Sequence, residues 1–146
     1  MKHVVAFVVA VLTAYVLAVV FYTQLNLSNV MAMGLDVTLA DRLSATLHDL
    51  SNMYLLLGLI FVAYVIAFAV THQVLRWLPQ LRYVGYVLGG FAAIYVLDFS
   101  LYKAMGDMHV LAATRTTFGA IALSLAGAVG GYVFVRLLPD SQVNPA

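Results

Sequence analysis

Six charged or titratable residues are candidates for chemistry in this chain of 146 residues. Asp98 is a carboxylate inside a long apolar stretch, and an ionisable group placed in hydrocarbon is a functional hypothesis by default. Five further residues are expected near the same, outer end of the protein: Arg42, His48, Asp49, Lys103 and Arg115. This outer polar cluster could serve proton or cation transfer, or it could bind the polar group of a lipid or quinone.

Two interpretations of Asp98 stay open. Asp98 lies about 7.5 Å along a helix from Lys103, and is therefore close to the end of its apolar stretch. In the first interpretation, the carboxylate forms a salt bridge with Lys103 or Arg115. In the second, it titrates in a proton or cation site that opens to the outside. Since no second acid lies deeper in the apolar stretches, we expect no proton pathway across a bilayer.

His48 and Asp49 form the other polar pair in the set. A histidine can move protons or bind metal near neutral pH, but histidine beside aspartate is also common on a solvated helix. A metal site would need Asp107 or His109 to approach from a distant loop. His48 and His72 would lie about 36 Å apart on one helix, which argues against haem. We therefore expect no metal, no cofactor and no catalytic residue.

The elements that must position these residues are four apolar stretches: 4–22, 53–71, 83–102 and 117–135. Each holds about 20 residues, the length that a helix needs to cross the hydrocarbon core of a bilayer. The fold class predicted is an all-α integral membrane protein, with four transmembrane helices in an antiparallel bundle.

Composition supports this class and excludes others. Hydrophobic residues make up 64% of the chain and charged residues 9%, and the mean hydropathy is +1.01. We expect one membrane domain over residues 1–138 and a short disordered tail over 139–146. Because cysteine is absent, disulfides, thiolate metal sites and cysteine nucleophiles are excluded. The net charge of +1 provides no basic surface for nucleic acid.

The segment between the first two spans is the longest loop, and it is predicted to be helical. Gly34 is expected to end the first helix, and Thr38 with Asp41 resembles a capping box that begins the next. A single helix of about 38 residues between positions 39 and 78 would be about 57 Å long. Helices 1 and 2 are therefore expected to extend beyond the membrane as an outer hairpin.

The predicted outer helix carries a leucine stripe at helical spacing, made of Leu39, Leu43, Leu47 and Leu50. Its polar residues fall more nearly on another face. The stripe needs a cover, which is either the outer end of the first helix or a partner protein.

Small residues indicate how the spans pack. They are expected at helix contacts in the third and fourth spans: Gly85, Gly89, Ala93, Ala120, Ser124, Gly127 and Gly131. Helices associate in lipid through close contact, which small residues four apart permit. A second small face of the fourth span holds Gly119, Ala122, Ala126 and Gly130. We expect the first face to pack inside the bundle and the second to form a homo-oligomer.

Cations give a weak topology signal. With both termini in the cytoplasm, four of them lie inside and three outside: Lys2, Arg76, Arg82 and Arg136 against Arg42, Lys103 and Arg115. The first span is too long for the core of a signal peptide and is expected to be retained. With no targeting peptide visible, the bacterial inner membrane is the expected location.

The leading functional expectation is a non-enzymatic membrane protein, in contact with lipid, that self-associates or serves as an accessory subunit of a larger complex. Two alternatives remain. One is an oligomeric channel or carrier for a small solute or ion, entered past Asp98 and Asp49. The other is an enzyme that acts on lipid or quinone at the outer leaflet. No motif for a nucleophile with its base, a phosphate loop or a metalloprotease occurs in the sequence.

Overall fold

The computed structural model describes residues 1–109 and 111–138, and these form five α-helices. In chain order they are α1 (Lys2–Ala32), α2 (Leu39–Asn52), α3 (Tyr54–Leu75), α4 (Arg82–Ala104) and α5 (Thr117–Leu137). Four of them, α1, α3, α4 and α5, are long and apolar enough to cross a membrane, which confirms the predicted spans and the helical membrane bundle. The tail predicted over 139–146 lies outside the described residues.

The bundle has two distinct ends. The terminal face holds the start of α1, the turn between α3 and α4, and the end of α5. The hairpin face, at the other end, holds α2 and the loop between α4 and α5. With 31 residues, α1 is about 46 Å long, which exceeds the roughly 30 Å hydrocarbon core of a bilayer. Its last turns therefore extend past the hydrocarbon on the hairpin face, as predicted.

Local signals explain where the helices begin and end, and Gly34 and the capping box of Thr38 with Asp41 act as predicted. Gly34 and Gly106 follow the ends of α1 and α4 with φ of 87° and 69°, a backbone conformation that glycine adopts without steric cost. Thr38 and Asp41 form a complete capping box at the start of α2. Thr116 caps α5, since its hydroxyl accepts a hydrogen bond from the N–H of Gly119.

The prediction of one continuous helix over residues 39–78 is wrong, because the chain breaks at Met53. Met53 has φ −86° and ψ 31°, outside the helical range. The Tyr15 hydroxyl donates to the carbonyl of Leu50 at 2.7 Å. In an unbroken helix that carbonyl would accept the N–H of Tyr54. The hydrogen bond from Tyr15 of α1 therefore takes the place of one backbone hydrogen bond, at the point where α2 is separated from α3.

Helix α5 lies between α1 and α4 and contacts both at the backbone. On the α4 side, a methyl group at Gly127 would overlap the carbonyl of Gly90, and one at Gly131 would overlap the carbonyl of Tyr86. On the α1 side, a methyl group at Gly130 would meet the carbonyl of Ala10. Gly127 and Gly131 thus lie where the backbones of α4 and α5 approach each other.

The second small face of α5 does not remain available for another copy of the chain. Ala126 and Gly130 are buried against α1, so this face is used inside the protomer. The surface of α5 that points away from the bundle carries larger side chains instead: Phe118, Ile121, Leu125, Val129 and Tyr132. Gly119, Ala126 and Gly130 of the second small face are thus occupied inside the protomer, and self-association stays a prediction.

Helix α3 joins the bundle mainly through side chains. Against α4, Gly85 faces Leu75 and Gly89 faces Thr71, as the small-residue pattern predicts. Towards the centre, Ile60 and Tyr64 are fully buried. The Tyr64 hydroxyl donates to the carbonyl of Gly127 at 2.6 Å, so the one polar group of this side chain is satisfied in the core.

Candidate functional site

The structure brings the six residues of the outer polar cluster to the hairpin face, but in separate groups. Asp49 connects α2 to α1. Its carboxylate accepts a hydrogen bond from the buried Thr23 hydroxyl of α1 at 2.7 Å. Asp49 and Arg115 both lie within range of an electrostatic interaction with Tyr22, although the Arg115 side chain is exposed. The role visible for Asp49 is to hold α2 on α1.

Arg42 makes a second connection between the same two helices. Its guanidinium donates to the side-chain oxygen of Gln24 at 2.7 Å and contacts the sulfur of Met31. The amide nitrogen of Gln24 donates in turn to the hydroxyl of Thr46 at 3.3 Å. Arg42 is thereby part of the hydrogen-bonded joint between α1 and α2.

His48 takes no part in this joint. Its ring is exposed and its neighbour is Asn52, whose amide donates to the His48 carbonyl at 2.8 Å and lies 3.4 Å from the ring nitrogen Nδ1. Both residues are on α2, so these contacts are local to one helix. The geometry is that of a histidine on a solvated surface.

Asp98 is half-buried in the last turns of α4, next to Thr114 and His109. The salt bridge expected with Lys103 or Arg115 is not formed within the described residues. Lys103 pairs instead with Asp107, one turn further along the chain at the exposed end of α4. The neighbours of Asp98 are therefore a hydroxyl and an imidazole, and no Lys or Arg of the described residues pairs with its carboxylate.

The six residues consequently do not converge on one pocket. Arg42, Asp49 and their partners on α1 form one group, Asp98 belongs to a second, and Lys103 lies outside both. Among the described residues, no three histidine or carboxylate side chains come close enough together to hold a metal ion. The hydrogen bonds of Arg42 and Asp49 can fix the hairpin in place.

An amphipathic helix usually turns its apolar side towards the protein, but α2 turns its polar side towards the protein. Its polar residues Arg42, Thr46 and Asp49 turn towards α1, and none of the fourteen residues of α2, all of them described, is buried. Leu39, Leu43 and Leu47 are 85%, 63% and 56% exposed. We call these three residues the leucine face. Leu50 alone of the predicted stripe packs against the core.

The centre of the bundle is filled by side chains. Ile60 and Tyr64 of α3 and Leu123 of α5 are at most 1% exposed. Small residues of α1 complete the contact: Ala6, Ala10, Ala14 and Ala18 are all buried. The middle of the bundle is therefore a packed core.

Two packing features escaped the sequence analysis. The four alanines of α1 repeat every fourth residue, which is a visible signal for a close helix contact. Gly90 was missed because Gly89, beside it, already fitted the stripe that faces α3. Adjacent helical residues are about 100° apart, so Gly89 meets α3 while Gly90 meets α5.

No protein-family model, no curated protein and no solved structure matches this chain. The class that the fold defines is a helical membrane protein with four spanning helices and an additional helix, α2, on the hairpin face.

Proposed function

We propose that this protein is a non-enzymatic membrane protein that serves as an accessory subunit, docked through the leucine face of α2 to another membrane protein. One observation carries the proposal: Leu39, Leu43 and Leu47 point outward while the polar residues of α2 bond to α1. Rotation of α2 cannot bury the leucines without loss of those hydrogen bonds. An exposed apolar stripe of this kind is typical of an interaction surface.

The chemistry of the leucine face favours a helical partner. Leucines at i, i+4 and i+8 form a row about 12 Å long, which suits the groove or apolar stripe of another helix. The hydrogen bonds to α1 fix the row in one orientation before binding, which lowers the entropic cost of association. The partner would be a membrane protein with an apolar helix at the same level as α2.

Site-specific photocrosslinking in native membranes tests the proposal. We expect a benzophenone side chain at position 43 to give one discrete protein adduct, whose mass distinguishes a foreign subunit from a second copy of this chain. The matched control is position 129, where Val129 is exposed on the lipid side of α5. That position should give lipid adducts only.

A paired loss-of-contact variant strengthens the test. Leu43→Ser with Leu47→Ser should abolish the adduct formed from position 39, while Ser44→Ala, an exposed change on the same helix, should preserve it. If positions 39 and 43 give the same lipid adducts as position 129, the leucine face rests on the membrane and the docking proposal is wrong.

We further propose that the terminal face is cytoplasmic and that the membrane is the bacterial inner membrane. Lys2, Arg76, Arg82 and Arg136 on this face support the orientation. Because the chain has no native cysteine, single cysteines at Gln80 and Met108 report on opposite faces without interference. An impermeant thiol reagent added outside the cell should label position 108 and leave position 80 unlabelled. The reverse pattern would overturn the orientation.

A further inference from the structure

A cavity of about 410 Å³ opens at the terminal face, away from the hairpin and from every residue of the docking proposal. Residues of all four spanning helices contribute to its wall. Its volume falls within the range of ligand pockets, which is roughly 300–1,000 Å³. We call it the terminal-face cavity.

The mouth of the terminal-face cavity is cationic. Arg76 follows α3 and Arg82 begins α4, so two guanidinium groups flank the turn that joins these helices. His3 from α1 and His72 from α3 add two imidazole rings. Of the described residues that line the cavity, none is a carboxylate. A mouth of this charge favours the binding of an anion. Arginine presents paired hydrogen-bond donors that suit phosphate oxygens.

The start of α4 adds to this positive field. Its first turn carries no acidic residue, and no side chain caps its N-terminus within the described part of the chain. The N-terminal end of a helix carries a partial positive charge. Arg82 is the first residue of α4, so the helix end and the guanidinium act at the same place.

The floor of the cavity is apolar and aromatic. Phe68, Tyr86 and Phe134 pack on one another, with ring centroids 4.7 Å apart for Phe68 and Phe134, 5.0 Å for Tyr86 and Phe134, and 5.4 Å for Phe68 and Tyr86. The Tyr86 hydroxyl lies 3.5 Å from Nδ1 of His72, at the boundary between floor and mouth. The cavity thus changes from cationic at its mouth to apolar at its floor, which suits a ligand with both an anionic group and an apolar part.

Two aromatic residues indicate where the mouth lies relative to lipid. Trp77 and Tyr83 are 83% and 50% exposed, and each is the chain neighbour of one of the two arginines. Exposed tryptophan and tyrosine at the ends of spanning helices lie at the level of the lipid headgroups. The arginines are therefore at the depth of the lipid phosphates, where basic pockets between helices bind anionic headgroups.

We propose that the terminal-face cavity binds a phosphate group carried by an amphiphile, with Arg76 and Arg82 on the phosphate and the rings of Phe68, Tyr86 and Phe134 beneath its apolar part. The depth of the arginines favours an anionic phospholipid as the source of that phosphate over a soluble phosphate ester. This site is independent of the docking role of α2.

Native mass spectrometry of the untagged full chain tests the proposal. The protein is equilibrated with equal amounts of phosphatidylglycerol and phosphatidylcholine, and the lipid retained per protomer is measured. We expect the wild type to retain phosphatidylglycerol in preference. Arg76→Gln with Arg82→Gln should lower that retention by at least about tenfold, since each cation near an anionic lipid contributes about one kcal/mol. Arg76→Lys with Arg82→Lys should recover part of it.

Arg136→Gln is the matched control. Arg136 is on the same face, but its guanidinium lies 5.9 Å from the ring centroid of Tyr132 and does not line the cavity. This variant should change retention by less than about twofold. A loss as large as that of the double variant would mean general surface charge and would overturn the site. Equal retention of the two lipids by the wild type would overturn it with no variant needed.

A competition experiment separates the two sources of phosphate. Millimolar glycerol 3-phosphate should leave bound phosphatidylglycerol in place if the apolar part contributes to affinity. Displacement of the lipid, together with binding of glycerol 3-phosphate that the double glutamine variant lacks, supports the phosphate site and assigns it to a soluble ester. Displacement that the double variant shows equally would contradict the role of the arginines.

Discussion

Helices α5 and α2 are held to the protein by opposite kinds of contact. α5 touches its neighbours at the backbone through Gly127, Gly130 and Gly131, with buried residues along its length. α2 has no buried residue among its described positions and is held by the hydrogen bonds of Arg42 and Asp49 to α1. Lipid chains do not easily replace the close contacts between two helices. Water readily replaces a hydrogen bond between two groups that it can reach. The comparison predicts that the four spanning helices form a rigid bundle. Helix α2 should be able to detach from it while the bundle stays folded.

The largest effect should come from filling the contact between α4 and α5. Gly127→Ala adds a methyl group that would overlap the carbonyl of Gly90 and the side chain of Ile94. Backbone cannot move aside as a flexible side chain can, so we expect a loss of about 3 kcal/mol in the free energy of unfolding. Reversible unfolding in mixed micelles measures it.

Gly58→Ala is the control for that substitution. Gly58 is on α3 in the same hydrocarbon environment, but an added methyl group would meet nothing within 4 Å. Alanine there should change the free energy of unfolding by less than about 1 kcal/mol, in the stabilising direction that helix propensity gives. Equal losses at both glycines would mean that backbone contact is not what holds α5.

The second effect concerns the joint between α1 and α2. Asp49→Ala removes the acceptor of the buried Thr23 hydroxyl, and a hydrogen bond to a charged group contributes about 1.5–3 kcal/mol. We expect the amides of α2 to exchange at least about tenfold faster, while those of α5 stay within about twofold of wild type. Hydrogen–deuterium exchange with mass spectrometry resolves the two helices.

His48→Ala, one residue earlier, provides the comparison. Because the hydrogen-bonding neighbour of the His48 ring among the described residues is Asn52 on the same helix, removal of the ring should leave the exchange of α2 within about twofold of wild type. If Asp49→Ala accelerates exchange throughout α1 and α5 as well, α2 is an integral part of the bundle, and the distinction between the two helices fails.

The sequence was sufficient for elements whose signals are local. The four spans, the capping box of Thr38 and Asp41, and the helix end near Gly34 depend on composition and short-range hydrogen bonds, and the structure has them as predicted. The break at Met53 could not be predicted in this way. It accompanies a hydrogen bond from Tyr15, 35 residues away from Leu50 along the chain.

The candidate site was harder to predict for the same reason. Which partner Asp98 meets depends on how the loop before α5 folds over α4, and spacing along the chain does not fix that. The terminal-face cavity was not predicted, because Arg76 and Arg82 served only as topology signals and chain spacing does not bring them near His3 and His72. Only their convergence in space, above three aromatic rings, indicates a ligand.

A smaller effect is expected at the start of α2. Thr38→Ala removes the hydroxyl that accepts the N–H of Asp41 at 3.2 Å. Loss of an N-cap threonine costs about 1 kcal/mol of helix stability. We expect the first turn of α2 to exchange faster by roughly fivefold, with the joint at Asp49 unaffected. Ser44→Ala, which leaves the cap intact, should not accelerate exchange; if it does so equally, the capping box contributes nothing.

The smallest effect is the pH dependence of the same cap. Hydrogen bonds from the hydroxyl and the N–H of Thr38 hold the pKa of Asp41 below its ordinary value. A carboxyl with a lowered folded-state pKa adds stability above its unfolded pKa, and that contribution is lost as pH falls from about 4 through the folded value. A carboxyl NMR titration should therefore place the midpoint of Asp41 lower in the wild type than in Thr38→Ala. Equal midpoints would show that the bonds to the carboxylate do not survive on the exposed surface of α2.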